Sequence, residues 1–373
     1  MPGFADLPGA VLAEAGAPAH FGSPLIEQRA LAEGRAAVEL PHRGAVRVSG
    51  PDRLRWLDSM TSQRLTDLAA GDSAETLLLD PNGRILHAIR VVDDGERAWL
   101  LVDEDEAPAL TDFLTRMRFA LRVEVADVSA ETIAYVAFAN TPAGSDGPAL
   151  AALRGVPGLL AEWRDPWAEV ARGGHQYAVP EVHPGADWSA HHLLFERASA
   201  GLVVDLVRSG ALLAAGLLSL DALEVRAWRP SRHGEVDERA IPHEFDWLRS
   251  AVHLTKGCYR GQETVAKVHN LGHPPRRLAL LFLDGSEGAL PPHGSLVFLA
   301  GADADARPIG RITRAANHYE WGGVALALLK RSTSIDAAVE IRPEGFAPIV
   351  CSQEEIVPAD AGATREIPRL RRL

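Results

Sequence analysis

The stretch Lys256-Gly257-Cys258-Tyr259-Arg260-Gly261-Gln262-Glu263 gathers a thiol, two cations, a phenol, an amide and a carboxylate within eight residues. A cysteine acts as nucleophile or metal ligand only as thiolate, and positive charge close by favours that form. Lys256 and Arg260 each stand two residues from Cys258 and are placed to supply it. Gly257 and Gly261 bracket the Cys258-Tyr259-Arg260 core, so the backbone there can take positive φ or pass close to a neighbour. The expectation is a shaped loop leading into a helix or strand. Set against it is the plainer role of a lone cysteine in an intracellular protein, a small inert hydrophobe.

A loop of this kind needs rigid elements behind it, and the patterning outlines them. Val46-Arg47-Val48-Ser49 alternates as a strand, Gly50-Pro51-Asp52 turns, and Leu54, Leu57 and Met60 give a helix its buried face. Thr76 to Leu79 reads as a buried strand, Asp80-Pro81-Asn82-Gly83 as a hairpin turn, and Ile85 to Val92 as the returning strand. Trp99 to Val102 continues the sheet, Ala107 to Arg118 forms an amphipathic helix, and Val123 to Val125 adds a strand. His191-His192-Leu193-Leu194 reads as the opening of a helix, Leu202 to Leu206 as a strand, and Leu217 to Ala227 as a helix. From Arg276 onward, short apolar runs punctuated by Gly, Pro and Asp indicate a small antiparallel barrel. Residues 1–34 read as a loose arm with a short helix near Leu25 to Glu33, residues 141–160 as a turn-rich linker, and 358–373 as a frayed tail.

Composition narrows the function. The formal net charge of −12 argues against a chain whose main work is gripping nucleic acid phosphate. Two cysteines, Cys258 and Cys351, exclude a disulfide framework and suit a reducing compartment, so the expected location is the cytoplasm. No apolar run reaches the length of a membrane span; Ala211 to Leu220 comes nearest. The paired His191 and His192 would point to different faces of any regular element, which argues against a metal site there. Nucleotide-binding glycine loops and zinc spacings are absent from the sequence.

Lys256 to Glu263, continued by Thr264-Val265-Ala266-Lys267-Val268-His269-Asn270-Leu271-Gly272, resembles the signature of the YgfZ family of folate-binding proteins. These are relatives of the glycine-cleavage T-protein, an aminomethyltransferase, and act in assembly or repair of iron–sulfur enzymes. The resemblance implies an α+β, three-part fold: an arm (1–34), an α/β part (35–140), a second α/β part carrying the motif (141–275), a C-terminal antiparallel β-barrel (276–357) and a tail (358–373). It implies a central pocket for tetrahydrofolate, with Cys258 and Lys256 as the residues tied to activity. Glu244 and Gln176 fall where the T-protein relatives grip the pterin, and Tyr259, Arg260, Gln262 and Glu263 are assigned with them to cofactor binding. The chain departs from the T-protein in the hairpin's second strand, where His87 and Ala88 stand in place of two aspartates. Alanine can neither hold a developing cation nor take a proton, so aminomethyl transfer as the T-protein performs it is expected to be lost.

The function so implied is folate-dependent support of iron–sulfur enzymes, with folate and iron–sulfur client or assembly proteins as partners and neither nucleic acid nor membrane among them. One thiol cannot complete a cluster's shell, which points to transfer or redox assistance rather than a resident cluster. Two other readings stay open: a folate-dependent methyl or aminomethyl transferase or demethylase, and a non-catalytic module in which folate regulates docking.

Overall fold

The computed structural model describes residues 2–13, 16–140, 146–284, 290–345 and 347–364. The expected hairpin is its organising turn. Asp80 Oδ1 accepts from the backbone N–H groups of Asn82 (2.7 Å) and Arg84 (2.9 Å), and Gly83 takes φ +76°. A short carboxylate closing its own turn in this way is why Asp and Gly sit at such corners. The hairpin joins Ser73–Leu79 to Ile85–Asp93 at one edge of a five-stranded antiparallel sheet that continues through Arg97–Asp103, Arg43–Ser49 and Glu124–Asp127.

A second five-stranded sheet runs in the order Leu159–Arg164, Ala190–Glu196, Thr132–Phe138, Ala36–Leu40 and Leu213–Ala215, the last pair being parallel. The strands 36–40 and 132–138, which lie before residue 141 in the chain, thus belong to this second sheet. The two sheets share the main core: Leu77, Val92 and Leu101 from the first and Val136, Trp163 and Leu194 from the second are buried in it. The outer face of the first sheet is covered by the helices Arg53–Met60 and Ala107–Met117, and that of the second by Pro148–Arg154 and Ala200–Arg208. Burying one face of each helix and both faces of each sheet gives a helix–sheet–sheet–helix stack. Behind it, six strands between Arg276 and Glu355 close the antiparallel barrel.

Three expectations are corrected. His191 and His192 lie on the strand Ala190–Glu196, where His191 bonds Glu162 at 2.6 Å and His192 turns inward against Trp163. Residues 202–206 are helical: Ala200, Val203 and Val204 are buried while Leu202 is 47% exposed, the i, i+3, i+4 spacing of a helix. Residues 1–34 are not loose where they are described. Phe4 is fully buried and its N–H bonds the Glu39 carboxylate, while Gln28 of the helix Pro24–Ala32 bonds the backbone of Asn317 (2.8 Å) and Tyr319 (3.1 Å) in the barrel. Residues 141–145 of the expected linker and 365–373 of the expected tail lie outside the described residues.

Candidate functional site

The Cys258 loop is built from its two ends. At its C-terminal end Gly261 takes φ +84° and starts the helix Gln262–Leu271. A Cβ on Gly261 would stand 2.6 Å from Asp80 O and 3.1 Å from Gly83 Cα, so the loop is pressed directly on the hairpin turn. Here the expected use of glycine holds. Gly257 differs: its φ is ordinary and a Cβ there would meet nothing within 4 Å.

At the other end Lys256 is an anchor. Its side chain is 1% exposed, and Nζ donates to the carbonyls of Asp58 (2.5 Å), Thr61 (2.8 Å) and Gln63 (2.7 Å) where the helix Arg53–Met60 ends, with the Asp58 carboxylate at 3.4 Å. An ammonium has three N–H groups, and all three are taken. None is left for Cys258, so a direct lysine–sulfur bond, the simplest form of the expected pairing, is not made; any effect on the thiol is through space. Burial pulls the Lys256 ammonium down to about 8, with the Asp58 carboxylate opposing.

Between these anchors Cys258 is exposed. Cys351, by contrast, is 3% exposed on the barrel strand Ile349–Glu355, and burial pushes its thiol up to about 12. The two cysteines are unpaired. Tyr259 turns inward at 8% exposure beneath the Lys256 ammonium, 5.5 Å from its ring centre. Arg260 points outward, its guanidinium 5.7 Å over the Phe113 ring. Gln262 and Glu263 open the helix, Glu263 exposed in its first turn, where a carboxylate suits the helix dipole.

The remaining expected cofactor residues, Glu244 and Gln176, lie beside His243 and Tyr177, which bond Val265 and His269 of the helix Gln262–Leu271. Glu244 is fully buried, and its two oxygens lie 2.8 Å from Arg276 Nε and Nη2, with Ile241 N–H adding a bond at 3.2 Å. Burial raises the Glu244 pKa against the opposing pull of Arg276. Its carboxylate is paired with Arg276, a partner the sequence reading did not give it. Gln176 accepts from Arg249 and donates to Ala178 O at 2.8 Å, so its amide too is engaged. The segment around it is irregular, and Tyr177 and Ala178 give their N–H groups to the buried Asp246 carboxylate. His87 has its Nδ1 2.9 Å from Oε1 of the buried Glu106, an arrangement that fixes the ring and leaves Nε2 outside the pair. Ala88 is core.

Open space lies beside the lysine cage. A cleft of about 520 Å³ passes Arg164, Arg172, Trp188 and His191. A hollow of about 200 Å³, lined by Gln63, Glu75, Ser250 and His253, shares Pro166, Ala171 and Arg172 with it. Gln63 connects the two regions, since its side chain lines the hollow and its carbonyl holds Lys256. Beneath the hollow a buried polar network ties the sheets together: Arg229 bonds Glu75 (2.6 Å) and Asp165 (2.9 Å), and Ser250 donates to Glu75 (2.5 Å). Asp58, Glu75, Glu106, Arg229 and Arg276 escaped the sequence reading because their partners are distant in the chain; among these pairs only Glu106 with His87 is separated by as few as 19 residues.

Comparison with known proteins gives kinship without close identity. No family model matches the chain. A chloroplast protein of Arabidopsis thaliana named as a transferase is 23% identical over 285 residues, 75% of this chain. A mitochondrial iron–sulfur cluster assembly factor, the IBA57 homolog of Mycosarcoma maydis, is 25% identical over 280 residues, 69% of this chain. The chain spans 61% and 59% of the lengths of these two relatives. An aminomethyltransferase of Symbiobacterium thermophilum is 26% identical over 275 residues, 70% of this chain and 71% of its own. In fold, the glycine cleavage system aminomethyltransferase T of Bartonella henselae matches with a TM-score of 0.69 over 96% of this chain and 95% of that one, at 17% identity.

Proposed function

With the chain standing among YgfZ-like and T-protein-like proteins in sequence and fold, we propose that it binds tetrahydrofolate and supports assembly or repair of iron–sulfur enzymes through Cys258. The observation that carries the reading is the contrast between the two thiols. Cys258 is exposed on a loop pinned at both ends, whereas Cys351 is sealed in the barrel. A pinned loop presents a nucleophile without the entropy cost of ordering it at each encounter.

The work of Cys258 is exchange. Its thiolate attacks a sulfur of a partner's disulfide or persulfide, a new S–S bond forms to Cys258, the old S–S bond breaks, and the leaving sulfur departs as thiolate to take a proton. As a metal ligand it would give one thiolate to an iron whose other ligands come from the partner.

At Glu244 and Gln176 the polar atoms already bond Arg276, Ile241, Arg249 and Ala178. Tetrahydrofolate suits the cleft of about 520 Å³, which is within the size of small-molecule sites and borders the hollow beside the lysine cage. There Arg164 and Arg172, 68% and 82% exposed and in long ion pairs with Glu162 (3.9 Å) and Asp67 (3.7 Å), would turn to the carboxylates of its tail. When bound, it would supply a one-carbon carrier. No helix among the described residues is long and apolar enough to cross a membrane, and the cytoplasm is proposed as the compartment.

The test pairs Cys258→Ser with Cys351→Ser. Cys258→Ser is expected to retain folding and folate affinity while iron–sulfur enzyme activity in cells falls; Cys351→Ser is expected to keep that activity. Calorimetry that finds no tetrahydrofolate binding to the wild type removes the folate assignment. Turnover of a methyl or aminomethyl donor dependent on His87 would replace the reading with a transferase, and unaltered activity in Cys258→Ser would replace it with a docking module.

A further inference from the structure

Next to the Cys258 loop the surface changes character. The helix Ala107–Met117 carries Phe113, over which Arg260 is stacked, and ends in Arg116-Met117, followed by the turn Arg118-Phe119-Ala120-Leu121. Each residue from Arg116 to Leu121 is exposed, with Met117 at 36%, Leu121 at 44% and Phe119 at 81%. Three apolar side chains in solution, alternating with arginines, form a mixed surface of the kind that marks interaction sites. Arg116 and Arg118 have no acidic partner within ion-pair distance among the described residues, whereas the chain as a whole carries −12.

The segment is held rather than loose. Trp56 Nε1 donates to Met117 O at 3.2 Å, and Asp52 accepts from Arg122 through its backbone N–H (3.0 Å), Nε (3.0 Å) and Nη2 (2.8 Å). Gly50, at φ +105°, allows the strand end to approach Arg122 so closely that a Cβ would stand 2.1 Å from its carbonyl oxygen. Within this clamp Phe119 takes φ +43°, a left-handed conformation that costs a non-glycine residue about 1 kcal/mol or more. The clamped turn leaves its aromatic ring in water rather than in the core. Phe119 is thus held by its neighbours' bonds while its ring stays 81% exposed.

We propose that the turn 116–121, together with Arg260, is a docking surface for an acidic protein that brings a sulfur to Cys258, an inference that rests on the thiol-exchange reading above. Charge decides the partner's chemistry. A basic patch on an acidic chain steers an acidic protein toward that patch and away from the rest of the surface. An anionic bilayer is disfavoured by the same field, since it would face the chain's whole negative surface across a small patch. Phe119 and Met117 supply the apolar anchor that charge alone lacks, and Arg260, two residues from Cys258 and stacked on Phe113, links the thiol loop to that helix.

The probes are two synthetic cysteine peptides activated as pyridyl disulfides, one carrying Asp and Glu around Leu and Phe, the other with every acid replaced by Lys. Cys258 attacks the peptide sulfur, the protein–peptide disulfide forms, and pyridine-2-thione leaves and is read by its absorbance; mass spectrometry confirms the cysteine modified. At low salt the acidic peptide is expected to react about tenfold faster than the basic one, with the advantage lost at high salt. R116E/R118E is expected to abolish or invert that ratio. Phe119→Asn, which tolerates the left-handed backbone, is expected to slow the acidic peptide about fivefold, roughly the value of one partly buried aromatic contact. Neutral iodoacetamide is expected to alkylate all variants at the wild-type rate, showing fold and thiol intact. A ratio that survives R116E/R118E overturns the docking surface while leaving the thiol reading in place, as does phosphatidylserine-vesicle binding that the double variant loses. A wild-type Cys258 inert to iodoacetamide overturns both.

Discussion

Replacing Lys256 with methionine keeps the length of the side chain and removes its three donors, which separates anchoring from chemistry. In the wild type those donors meet the carbonyls of Asp58, Thr61 and Gln63, and Thr61 and Gln63 are themselves buried. A buried acceptor left without a partner costs about 1–3 kcal/mol, and stripping one side from a buried charged cluster costs about 3–5 kcal/mol. Relief of the ammonium's own burial offsets part of this, so Lys256→Met is expected to lower unfolding free energy by about 3 kcal/mol. Lys256→Arg is not a rescue: a planar fork cannot aim donors at three carbonyls arranged for an ammonium. Cys258→Ser, on an exposed position, is expected to stay within about 0.5 kcal/mol of the wild type. Urea unfolding with an unchanged slope measures the difference, and native-state alkylation of Cys258 is read alongside it. If Lys256→Met is as stable as the wild type while alkylation slows sharply, the lysine acts on the sulfur directly and the anchoring account is wrong.

Two further outcomes follow from the same geometry. Gly261→Ala is expected to destabilise by about 2 kcal/mol or more, because φ is +84° and its Cβ would press on Asp80 O, while Gly257→Ala is expected to cost less than about 0.5 kcal/mol; thermal melts distinguish them. His243 is fully buried, and burial pulls its pKa from the ordinary value of 6.5 to about 3, so the unfolded chain takes up a proton below pH 6.5 that the folded chain refuses. Stability from this residue is therefore complete above pH 6.5 and lost as pH falls, by about 2 kcal/mol at pH 5. Asp221 and Asp246, raised by burial to about 7, act in the opposite direction, so the quantity to measure is the difference in pH slope between wild type and His243→Gln.

Local pattern carried the elements whose reasons are local. The hairpin Asp80–Gly83, the helices Arg53–Met60 and Ala107–Met117 and the barrel strands each announce themselves through turn chemistry or periodicity. The strand Ala190–Glu196 did not, because two adjacent histidines hide a period of two, and the helix Ala200–Arg208 did not, because valines favour strands until burial decides otherwise. At the site the motif itself was legible and the roles within it were not. Lys256 and Cys258 sit two apart in sequence, which suggested a pair; in space the lysine turns back to residues 58–63 and the sulfur faces outward. Glu244 looked like an open carboxylate because nothing near it in sequence reveals Arg276, 32 residues on. A partner supplied by another element is invisible to any window of local sequence.

That division explains why the octapeptide mixes residue types as it does. A loop that offers a nucleophile to a macromolecule, as proposed for this one, has to be rigid below and unobstructed above. Lys256 and Tyr259 point down into the carbonyl cage and the core, Gly261 lets the loop seat on the hairpin, and Cys258 and Arg260 point out. Buried charge is an expensive way to fix a loop, since an apolar residue of similar size would fill the same space at lower desolvation cost. A lysine that satisfies three carbonyls does what an apolar side chain cannot: it caps the end of the helix Arg53–Met60 and sets the loop's distance from it in one contact. The same helix carries Trp56, which holds the end of the neighbouring helix and with it the exposed turn at Phe119. Thiol loop and apolar–basic turn are thus mounted on one rigid element, so their spacing is fixed before any partner arrives.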